Sequence, residues 1–441
     1  MKNISAKNIC IIGLGFVGLT LAAVLADRGF MVYGVENNSR ILDILKRGRI
    51  HFFEKDLKKL VKKYLNKKIF IYKRIPQDKV IDSFIVTVGT PIDEKNHKTN
   101  LSHIVKATTE IGKNLRDGQL IILRSTVEPG TTREIVLPIL KNSGKKFYLS
   151  FCPERTIEGA ALTELKIVPQ IISGLDAESL KMARVIFSRF VDKIIEAPSL
   201  EYAEMVKITC NTYRDLTFAY ANELAILARK FGIDANKLIE MANTGYSRGG
   251  IPKPGFVGGY CLSKDSYILS SASVKKNNFR PKLINTAREI NESLPGFVAD
   301  RIKNKLQRQK SKSGKIFISG FAFKGRPETD DLRGSPAVDL LRELRERKID
   351  NIHGHDFVVS EKNIKKLGIK FSNIEDGFKE AAVVVIMNNH VSYNDLPIKK
   401  LILVMKKGGL FFDSWHIFDP RDIKEINHAT YESLGFSNES N

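Results

Sequence analysis

The chain has 441 residues, 43% of them hydrophobic, so it can bury more than one core and is not a disordered polypeptide. Its net charge of +22 suits nucleic acid, an anionic membrane or a phosphorylated substrate as a partner. The four cysteines (Cys10, Cys152, Cys210 and Cys261) are far apart, which excludes a disulfide framework and a zinc module and predicts a cytoplasmic, reducing environment.

The basic residues are dispersed and accompany no nucleic-acid-binding motif, so we expect no nucleic acid partner. Residues 55–68 predict an amphipathic helix whose lysines form a solvated face. Residues 9–26 carry no charge and match the length of a signal peptide or a membrane span. Three glycines interrupt this run at the spacing of the motif described next, so we expect no membrane insertion.

The first motif lies between two predicted strands, Asn8–Ile12 and Met31–Val35. It reads GLGFVG at 13–18 and opens a predicted helix, and an acidic residue, Glu36, ends the second strand. Strand, GxGxxG, helix, strand and acid together predict a dinucleotide site, with pyrophosphate at the helix N-terminus. The Glu36 carboxylate would bind the adenosine ribose and repel a 2′-phosphate, which favours NAD over NADP. The predicted cofactor contacts of this unit are Gly13, Gly15, Phe16, Val17, Gly18 and Glu36.

Three more strands are predicted at Phe84–Val88, Leu120–Leu123 and Phe147–Phe151, with helical patterns between them. This alternation predicts a doubly wound parallel sheet. Two strand ends carry polar loops, GTP at 89–91 and STVEPGTT at 125–132. Ligands bind beyond the carboxyl ends of such strands, although the same residue types also simply make turns.

The third of these strands leads into CPERTIEG at 152–159. Glu154 and Glu158 are carboxylates at a strand end, where they can transfer protons. They are equally suited to lie at a helix N-terminus as partners of its dipole, and the residues alone favour that structural interpretation.

A helix of about 30 residues is predicted from Leu200 to Gly232, long enough at roughly 45 Å to join two domains and to offer a dimer surface. Glu204, Lys207 and Asn211 fall on one of its faces. A lysine and an asparagine there can polarise an oxygen or hold a water. The alternative is a surface row of ion pairs that contributes little.

The stretch GFVGGYCLSKD at 255–265 combines three glycines with a cysteine and an aspartate. If a helix begins near Tyr260, Cys261 lies in its first turn, where the helix dipole favours a thiolate, and Asp265 shares its face. This pattern suits a nucleophile with a polar partner. A glycine-rich turn with a buried structural cysteine explains it equally well.

The C-terminal third predicts a second α/β unit. Residues 301–315 are rich in Lys, Gln and Ser, have no sustained apolar period after Leu306, and are interpreted as an inter-domain connection; strands follow at Lys315–Ser319, Ile352–His355, Val383–Met387 and Leu410–Phe412. Lys324 after the first of these strands and Arg333 near a helix start suit a phosphate-bearing ligand. The residues after about 425 are predicted to be a frayed polar tail. The histidines show no metal-ligand spacing, so no metal is expected.

The motifs and their order resemble the NAD-dependent nucleotide-sugar 6-dehydrogenases of the UDP-glucose and GDP-mannose dehydrogenase type. The likeness runs from about residue 8 to about 420, through GFVGLT at 13, GTP at 89, STVEPGTT at 125, PERTIEG at 153, Lys207 with Asn211, GFVGGYCLSKD at 255 and GFAFKGRPETDDLRGSP at 320. The chain departs from the family at Tyr260, where His, Pro or Ser is usual, at Ser263 and Ser266, where proline is frequent, and at Gly334, where Glu is common. These departures bear on sugar specificity more than on the chemistry.

The resemblance implies an α/β fold with two Rossmann-like doubly wound domains joined by a long central helix. The expected domains are 1–198 for NAD, 199–300 for dimerisation and the catalytic loop, 301–425 for the nucleotide sugar, and a tail at 426–441. It further implies NAD as cofactor, a nucleotide-sugar substrate, a homodimer and a role in polysaccharide biosynthesis.

The resemblance also implies the site residues. The catalytic set is Cys261, Lys207, Asn211, Asp265, Glu154 and Thr126. Further cofactor contacts are Thr90, Thr126, Glu158, Lys264 and Arg333. The substrate contacts are Glu154, Arg155, Lys207, Asn211, Arg248, Phe256, Gly258 and Lys324. Arg248 matches an arginine that reaches the substrate of a neighbouring subunit.

The implied reaction oxidises a sugar C6 alcohol to a carboxylate with two NAD, through a thiohemiacetal and a thioester on Cys261. Lys207 and Asn211 would stabilise the alkoxide, and Glu154 would lie near the hydrolytic water. Two other classes fit part of the pattern: a two-electron β-hydroxyacid dehydrogenase, which needs no Cys261, and a nucleotide-binding protein without turnover.

Overall fold

The computed structural model describes residues 7–93, 96–309 and 314–437, which form two compact units. The first unit comprises the described part of Met1–Asn211 together with Tyr267–Arg280. The second comprises Thr212–Ser266 and the described part of Pro281–Asn441. The predicted domain bounds at 198 and 300 remain predictions.

The first unit is built around an eight-stranded sheet with the order β3-β2-β1-β4-β5-β6-β7-β8. Its neighbouring strands run parallel except β6 and β7. The strands are β1 (Asn8–Ile12), β2 (Met31–Val35), β3 (Ile69–Tyr72), β4 (Ser83–Val86), β5 (Gln119–Leu123), β6 (Phe147–Phe151), β7 (Gln170–Gly174) and β8 (Ile194–Glu196). The central strands β4 and β5 are buried along their whole length, as expected for a parallel sheet covered on both faces.

Seven helices and one π-helical turn, Thr132–Val136, connect these strands within the described residues. The helices are α1 (Phe16–Asp27), α2 (Ser39–Lys46), α3 (Leu57–Tyr64), α4 (Ser102–Asn114), α5 (Leu137–Lys141), α6 (Ala161–Ile167) and α7 (Ala177–Phe187). The uncharged run at 9–26 is therefore a buried strand and helix. The lysine-rich helix is shorter than predicted, since α3 ends at Tyr64 rather than at Lys68.

Four further helices carry most of the central part of the chain. They are α8 (Leu200–Lys230), α9 (Ala235–Asn243), α10 (Leu262–Asn277) and α11 (Lys282–Arg308). The 31 residues of α8 confirm the predicted long helix, which begins in the first unit and ends in the second.

The second unit contains a seven-stranded sheet with the order β11-β10-β9-β12-β13-β14-β15, parallel except between β14 and β15. Its strands are β9 (Lys315–Ser319), β10 (Ile352–His355), β11 (Lys370–Phe371), β12 (Ala381–Ile386), β13 (Gly409–Asp413), β14 (Ala429–Ser433) and β15 (Phe436–Ser437). A 3-10 turn, Val391–Asp395, and five helices accompany them: α12 (Pro336–Glu346), α13 (Glu361–Lys365), α14 (Ile374–Phe378), α15 (Ile398–Leu403) and α16 (Pro420–Ile426). Two parallel-dominated sheets and a long helix confirm the predicted fold class.

Two sequence interpretations of the second unit are wrong. Residues 301–308 belong to α11, whose buried positions Leu294, Val298, Ile302 and Leu306 recur every four residues, so the predicted connection begins inside a helix. Residues 310–313 of the supposed connection lie outside the described residues.

The polar tail is also a misinterpretation for residues 426–437, because β14 pairs with β13 and buries Tyr431 completely. Glu432, a polar side chain of this segment, is itself buried and accepts hydrogen bonds from Arg229 (2.7 Å) and Arg301 (2.9 Å). Residues 438–441 lie outside the described residues. Over the described ranges, no helix combines the length and apolarity needed to cross a membrane.

Candidate active site

The turn between β1 and α1 has the geometry of a dinucleotide-binding loop. Gly13 adopts a positive φ of 94° while its N–H donates to Val35, on the next strand. A Cβ on Gly18 would lie 1.9 Å from the Gly13 carbonyl oxygen, so only glycine allows helix and strand to pack this closely. A Cβ on Gly15 would meet no atom within 4 Å, which leaves space where the backbone of this turn faces outward.

The N-terminus of α1 completes this site. No side chain among the described residues caps the helix, so the amides of its first turn remain to bind pyrophosphate beside Phe16 and Val17. Glu36 is buried next to the turn, where its carboxylate accepts hydrogen bonds from the N–H groups of Leu14 (3.1 Å) and Asn38 (2.9 Å). An acid fixed here fits a ribose diol and opposes a 2′-phosphate, so the chain's own residues fit NAD.

The loops after β4 and β5, which carry the polar residues noted in the sequence, contact each other. The Thr90 hydroxyl donates to the carbonyl of Thr126 at 2.6 Å, and the Ser125 hydroxyl donates to Val88 at 2.7 Å. Thr90 is buried and Thr126 is half-buried. The two loops therefore hold each other at the carboxyl edge of the sheet.

The face of α8 that carries Glu204 and Lys207 is buried, so its interpretation as a surface row of ion pairs is wrong. Glu204 accepts hydrogen bonds from the N–H groups of Gly130 (2.5 Å) and Thr132 (2.8 Å) and thereby fixes the loop after β5 to the helix. Burial raises the pKa of Glu204 to about 7 against these donors. Lys207, one turn further, is buried, and Asn211 is half-buried.

Glu154 is buried at the end of β6 and both of its carboxylate oxygens accept hydrogen bonds. Oε2 accepts from the guanidinium of Arg124, and Oε1 accepts from the N–H groups of Arg155 and Thr156, both at 2.8 Å. Burial opposes the charge, but Arg124, the N–H of Thr156 and then Lys207 outweigh it and lower the pKa of Glu154. Glu154 is therefore an ionised carboxylate that is held by hydrogen bonds on both oxygens and is stabilised by the nearby charge of Lys207.

Arg155 and Glu158 are half-buried in the same loop. The end of that loop depends on Glu54, a residue that the sequence analysis missed. Its buried carboxylate accepts hydrogen bonds from the N–H groups of Gly159 (2.7 Å) and Ala161 (2.9 Å), at the start of α6. Since 105 positions separate Glu54 from Gly159, no local pattern reveals this contact.

In the second unit, Cys261 is exposed and stands immediately before α10, one residue earlier than the predicted helix position. Its carbonyl accepts hydrogen bonds from the N–H groups of Lys264 (3.2 Å) and Asp265 (2.9 Å), so it occupies the N-cap. The thiol nevertheless lies at the positive end of a 16-residue helix, as a reactive cysteine requires. The interpretation as a buried structural cysteine is wrong.

A cluster of charges and one aromatic ring surrounds Cys261. Lys264 is buried and donates to the carboxylate of Asp265, itself fully buried, at 3.0 Å. Two cations approach the Tyr260 ring, with Lys264 Nζ 4.9 Å and the Arg333 guanidinium carbon 4.7 Å from its centroid. Burial works against the charge of Lys264, but the nearby Asp265, Cys261 and Tyr260 raise its pKa. Tyr260, where the chain departs from the family pattern, is thus the residue whose ring both cations approach.

The three glycines of the loop that leads to Cys261 face groups far away in the sequence. A Cβ on Gly255 would lie 2.5 Å from the Trp415 ring, one on Gly258 2.5 Å from the carbonyl oxygen of Gly334, and one on Gly259 2.5 Å from the Phe323 ring. The loop therefore packs directly on the segments that follow β9 and β13.

A buried polar network, which sequence reasoning missed, anchors both ends of this loop. Asn222 of α8 both donates to the carbonyl of Gly255 (3.0 Å) and accepts from its N–H (2.9 Å). Asn222 also donates to Asn291, and Asn291 donates to Asp215. Arg288 links Asp215 to the carbonyl of Leu262, at the start of α10. One signal was available, because Asp215 and Asn222 occupy the same helical face as buried alanines at 219 and 225.

The remaining predicted substrate contacts differ in exposure. Phe256 is buried, Gly258 and Lys324 are half-buried, and Arg248 is exposed with its guanidinium over the Tyr246 ring. A cavity of about 890 Å³ in this unit is lined by Lys237, Glu240, Ile251, Lys253, His416 and Arg421, among others. None of the predicted site residues lines it.

These features are those of an NAD-dependent dehydrogenase with two Rossmann-like sheets: a dinucleotide-binding turn, an uncapped helix on a doubly wound sheet, and an exposed cysteine at the start of another helix. The comparisons give the family. The chain matches the models of the UDP-glucose/GDP-mannose dehydrogenase family over its NAD binding domain (residues 7–191), central domain (201–293) and UDP binding domain (317–420), and it belongs to that family.

Among its relatives, the UDP-N-acetyl-D-mannosamine dehydrogenase of Methanocaldococcus jannaschii is 36% identical over 438 residues, or 99% of this chain and 96% of that protein. An NDP-N-acetyl-D-galactosaminuronic acid dehydrogenase of Ralstonia nicotianae is 31% identical over 90% of this chain and 94% of that protein. The solved UDP-D-ManNAc dehydrogenase of Pyrococcus horikoshii superposes with a TM-score of 0.86 at 28% identity, over 97% of this chain and 99% of that chain.

The chain is therefore an NAD-dependent nucleotide-sugar dehydrogenase, as the resemblance implied. A non-catalytic nucleotide-binding protein and a β-hydroxyacid dehydrogenase are set aside, because the family matches extend through the central and UDP binding domains.

Proposed function

We propose that the chain oxidises the C6 alcohol of UDP-N-acetyl-D-mannosamine to the carboxylate, through a covalent bond to Cys261. The single observation that carries the covalent route is the exposed thiol at the N-terminus of α10, on a loop whose glycines and buried anchors fix its path. The names of the relatives support the N-acetylated UDP-sugar.

Cys261 adds to the carbon of the sugar aldehyde left by the first oxidation and forms a thiohemiacetal. A second oxidation of that carbon gives a thioester, which water hydrolyses to the uronate and the free thiol. NAD, held by the turn before α1 and by Glu36, would supply the hydride acceptor for both oxidations, so two NAD would be consumed per sugar.

The other residues act on charge and protons. The Lys207 ammonium and the Asn211 amide stabilise the alkoxide and then the tetrahedral oxyanions. Thr126 and Glu154 orient the water, and the buried Asp265 carboxylate holds Lys264 beside Cys261. Lys324 and Arg333 provide positive charge for the diphosphate and the cofactor.

Further substrate contacts are proposed for Arg155, Phe256 and Gly258, and Glu158, with Thr90, completes the cofactor contacts. Arg248, exposed on its loop, is proposed to contact the substrate of a partner subunit.

The test measures NADH and uronate together. Wild type should release two NADH per uronate, whereas Cys261→Ala should form no uronate and still bind NAD. Cys210→Ala, at a half-buried cysteine of α8, is the matched control and should behave like wild type. One NADH per product, or turnover of Cys261→Ala at the wild-type rate, would show that the covalent route is wrong.

The substrate is tested by comparing kcat/KM for UDP-N-acetylmannosamine, UDP-N-acetylglucosamine, UDP-glucose, UDP-galactose and GDP-mannose. We expect the highest value for UDP-N-acetylmannosamine. A preference for a sugar without the acetamido group would contradict the proposed substrate while leaving the chemistry intact.

We also propose that the active form is a homodimer joined through α8. Tyr213, Tyr220 and Leu227 recur every seven residues on one face of this helix and are 65%, 56% and 49% exposed. A stripe of large apolar side chains at this period is typical of a helix that packs against another copy. Tyr220→Asp should shift the sedimenting species to monomer, and an unchanged dimer would contradict the proposed surface.

Because the reaction needs Cys261 as a free thiol, we propose that the protein works in the cytoplasm, where thiols stay reduced. Fractionation of the cells that make the protein would test this location.

A further inference from the structure

Arg124 is a buried arginine with no role in the reaction described above. It directly follows β5, is 2% exposed, and directs Nε (3.1 Å) and Nη2 (2.5 Å) to the same oxygen of Glu154. Nη1 donates to the carbonyl of Cys152 (2.9 Å) and to the side chain of Gln170 (3.0 Å). A buried cation is retained only when its donors are satisfied, and these donors converge on Glu154 and on the backbone that precedes it.

Glu154, which accepts these hydrogen bonds, is held in place by further contacts. Gln170, held by Arg124, donates in turn to the carbonyl of Pro153 at 3.0 Å, so the peptide before Glu154 is fixed as well. The second oxygen of Glu154 accepts two backbone N–H groups. A rotation or shift of the carboxylate would therefore break its contacts with residues that follow two strands, β5 and β6.

We infer that Arg124 is a positioning residue that fixes the Glu154 carboxylate for thioester hydrolysis. This inference rests on the proposed function, since only a covalent route contains that step. In the step, the oxygen of water bonds to the thioester carbon and the carbon–sulfur bond breaks. One water proton returns Cys261 to the thiol, and the other passes to solvent as the uronate forms.

Replacement of Arg124 should affect hydride transfer and thioester hydrolysis differently. Arg124 contacts neither the α1 turn nor Glu36 in the described hydrogen bonds, so its replacement should leave NAD binding and the hydride steps in place. A displaced Glu154 slows hydrolysis alone, and the sugar then accumulates on Cys261 as a thioester.

The experiment compares Arg124→Lys, which keeps the charge but loses the planar fork, with Arg124→Gln, which loses both. The matched control is Arg184→Lys, because Arg184 directs the same two nitrogens to Glu196 at an exposed site. Rapid mixing with NAD and sugar nucleotide, followed by intact-mass measurement, quantifies the Cys261 adduct. Steady-state kcat is measured against pH.

We expect both Arg124 variants to retain the first burst of NADH, to lose roughly 10- to 100-fold in kcat, and to accumulate adduct. In Arg124→Gln the acidic limb of the pH profile of kcat should also move to higher pH. Burial raises the pKa of Glu154 and is then opposed by Lys207 and by the backbone N–H groups of Arg155 and Thr156 without the guanidinium, while the neighbouring Cys152 thiol stays neutral because burial raises its pKa to about 12. A merely structural role would lower the burst and kcat together, without accumulation of adduct and without a shift of the acidic limb.

Glu154→Gln shows which proposal fails. Adduct in Glu154→Gln but not in folded Arg124→Lys overturns the inference about Arg124, as does a wild-type kcat in either Arg124 variant. If no variant forms adduct while Glu154→Gln still makes uronate, Glu154 is not needed for hydrolysis and the inference about Arg124 fails; the covalent route itself fails only if Cys261→Ala makes uronate at the wild-type rate. If Arg124→Gln does not fold, the burst and adduct of Arg124→Lys decide.

Discussion

The contact between Gly258 and the carbonyl oxygen of Gly334 makes the catalytic loop sensitive to a single methyl group. Gly258→Ala would place a Cβ 2.5 Å from that oxygen and 2.5 Å from Cδ of Pro336. Both are backbone or ring atoms, so neither can rotate away, and a normal contact near 3.4 Å requires the loop to move by about 1 Å. Cys261 follows three residues later on the same loop and should move with it.

A shift of about 1 Å in a catalytic group typically lowers the rate about 100-fold, which corresponds to roughly 2.7 kcal/mol of transition-state stabilisation. Overpacking should also lower the free energy of unfolding by about 1–3 kcal/mol. The assay is kcat from NADH absorbance, with the rate of Cys261 alkylation by iodoacetamide as a direct measure of the thiol.

Gly112→Ala is the control, because Gly112 lies in α4 and a Cβ there would meet the carbonyl oxygen of Ile139 at 3.6 Å, an ordinary van der Waals distance. Helix propensity predicts a gain of about 0.5–1 kcal/mol and no change in kcat. If Gly258→Ala folds and keeps the wild-type kcat and alkylation rate, the loop tolerates the displacement and the steric argument for its glycine is refuted.

Three other predictions concern stability. Burial raises the pKa of Glu204 from 4.5 to about 7, so between these pH values the folded state holds a proton that the unfolded state has lost. The free energy of unfolding should therefore fall by about 3 kcal/mol as the pH rises through this window. Urea unfolding of Glu204→Gln should lack this decline. Asn222→Ala should cost about 1–3 kcal/mol for each Gly255 backbone group left unsatisfied, and an unchanged urea midpoint would contradict this anchoring role. A chain ended after residue 427 loses β14 and the buried Tyr431 and should melt at lower temperature than one ended after residue 437, whereas equal melting would restore the frayed-tail interpretation.

The sequence by itself determined the features whose signals are local. The turn GLGFVG lies between a strand and a helix, and an acid stands one strand later, so the dinucleotide site is readable within 30 residues. The alternation of strands and helices likewise gave both sheets, and the apolar period of α8 gave its length. Each of these signals is a repeat or a spacing along the chain, which reflects backbone geometry rather than particular neighbours.

Only the tertiary structure decided the surroundings of the polar side chains. Glu204 and Gly130 are 74 positions apart, and Asn222 and Gly255 are 33 apart, so no period connects them. The same holds for Arg124, which looks like an ordinary charge after a strand until Glu154 is found beside it. A buried charge or amide is tolerated because its partner satisfies it, and that partner is chosen by the packing of distant segments.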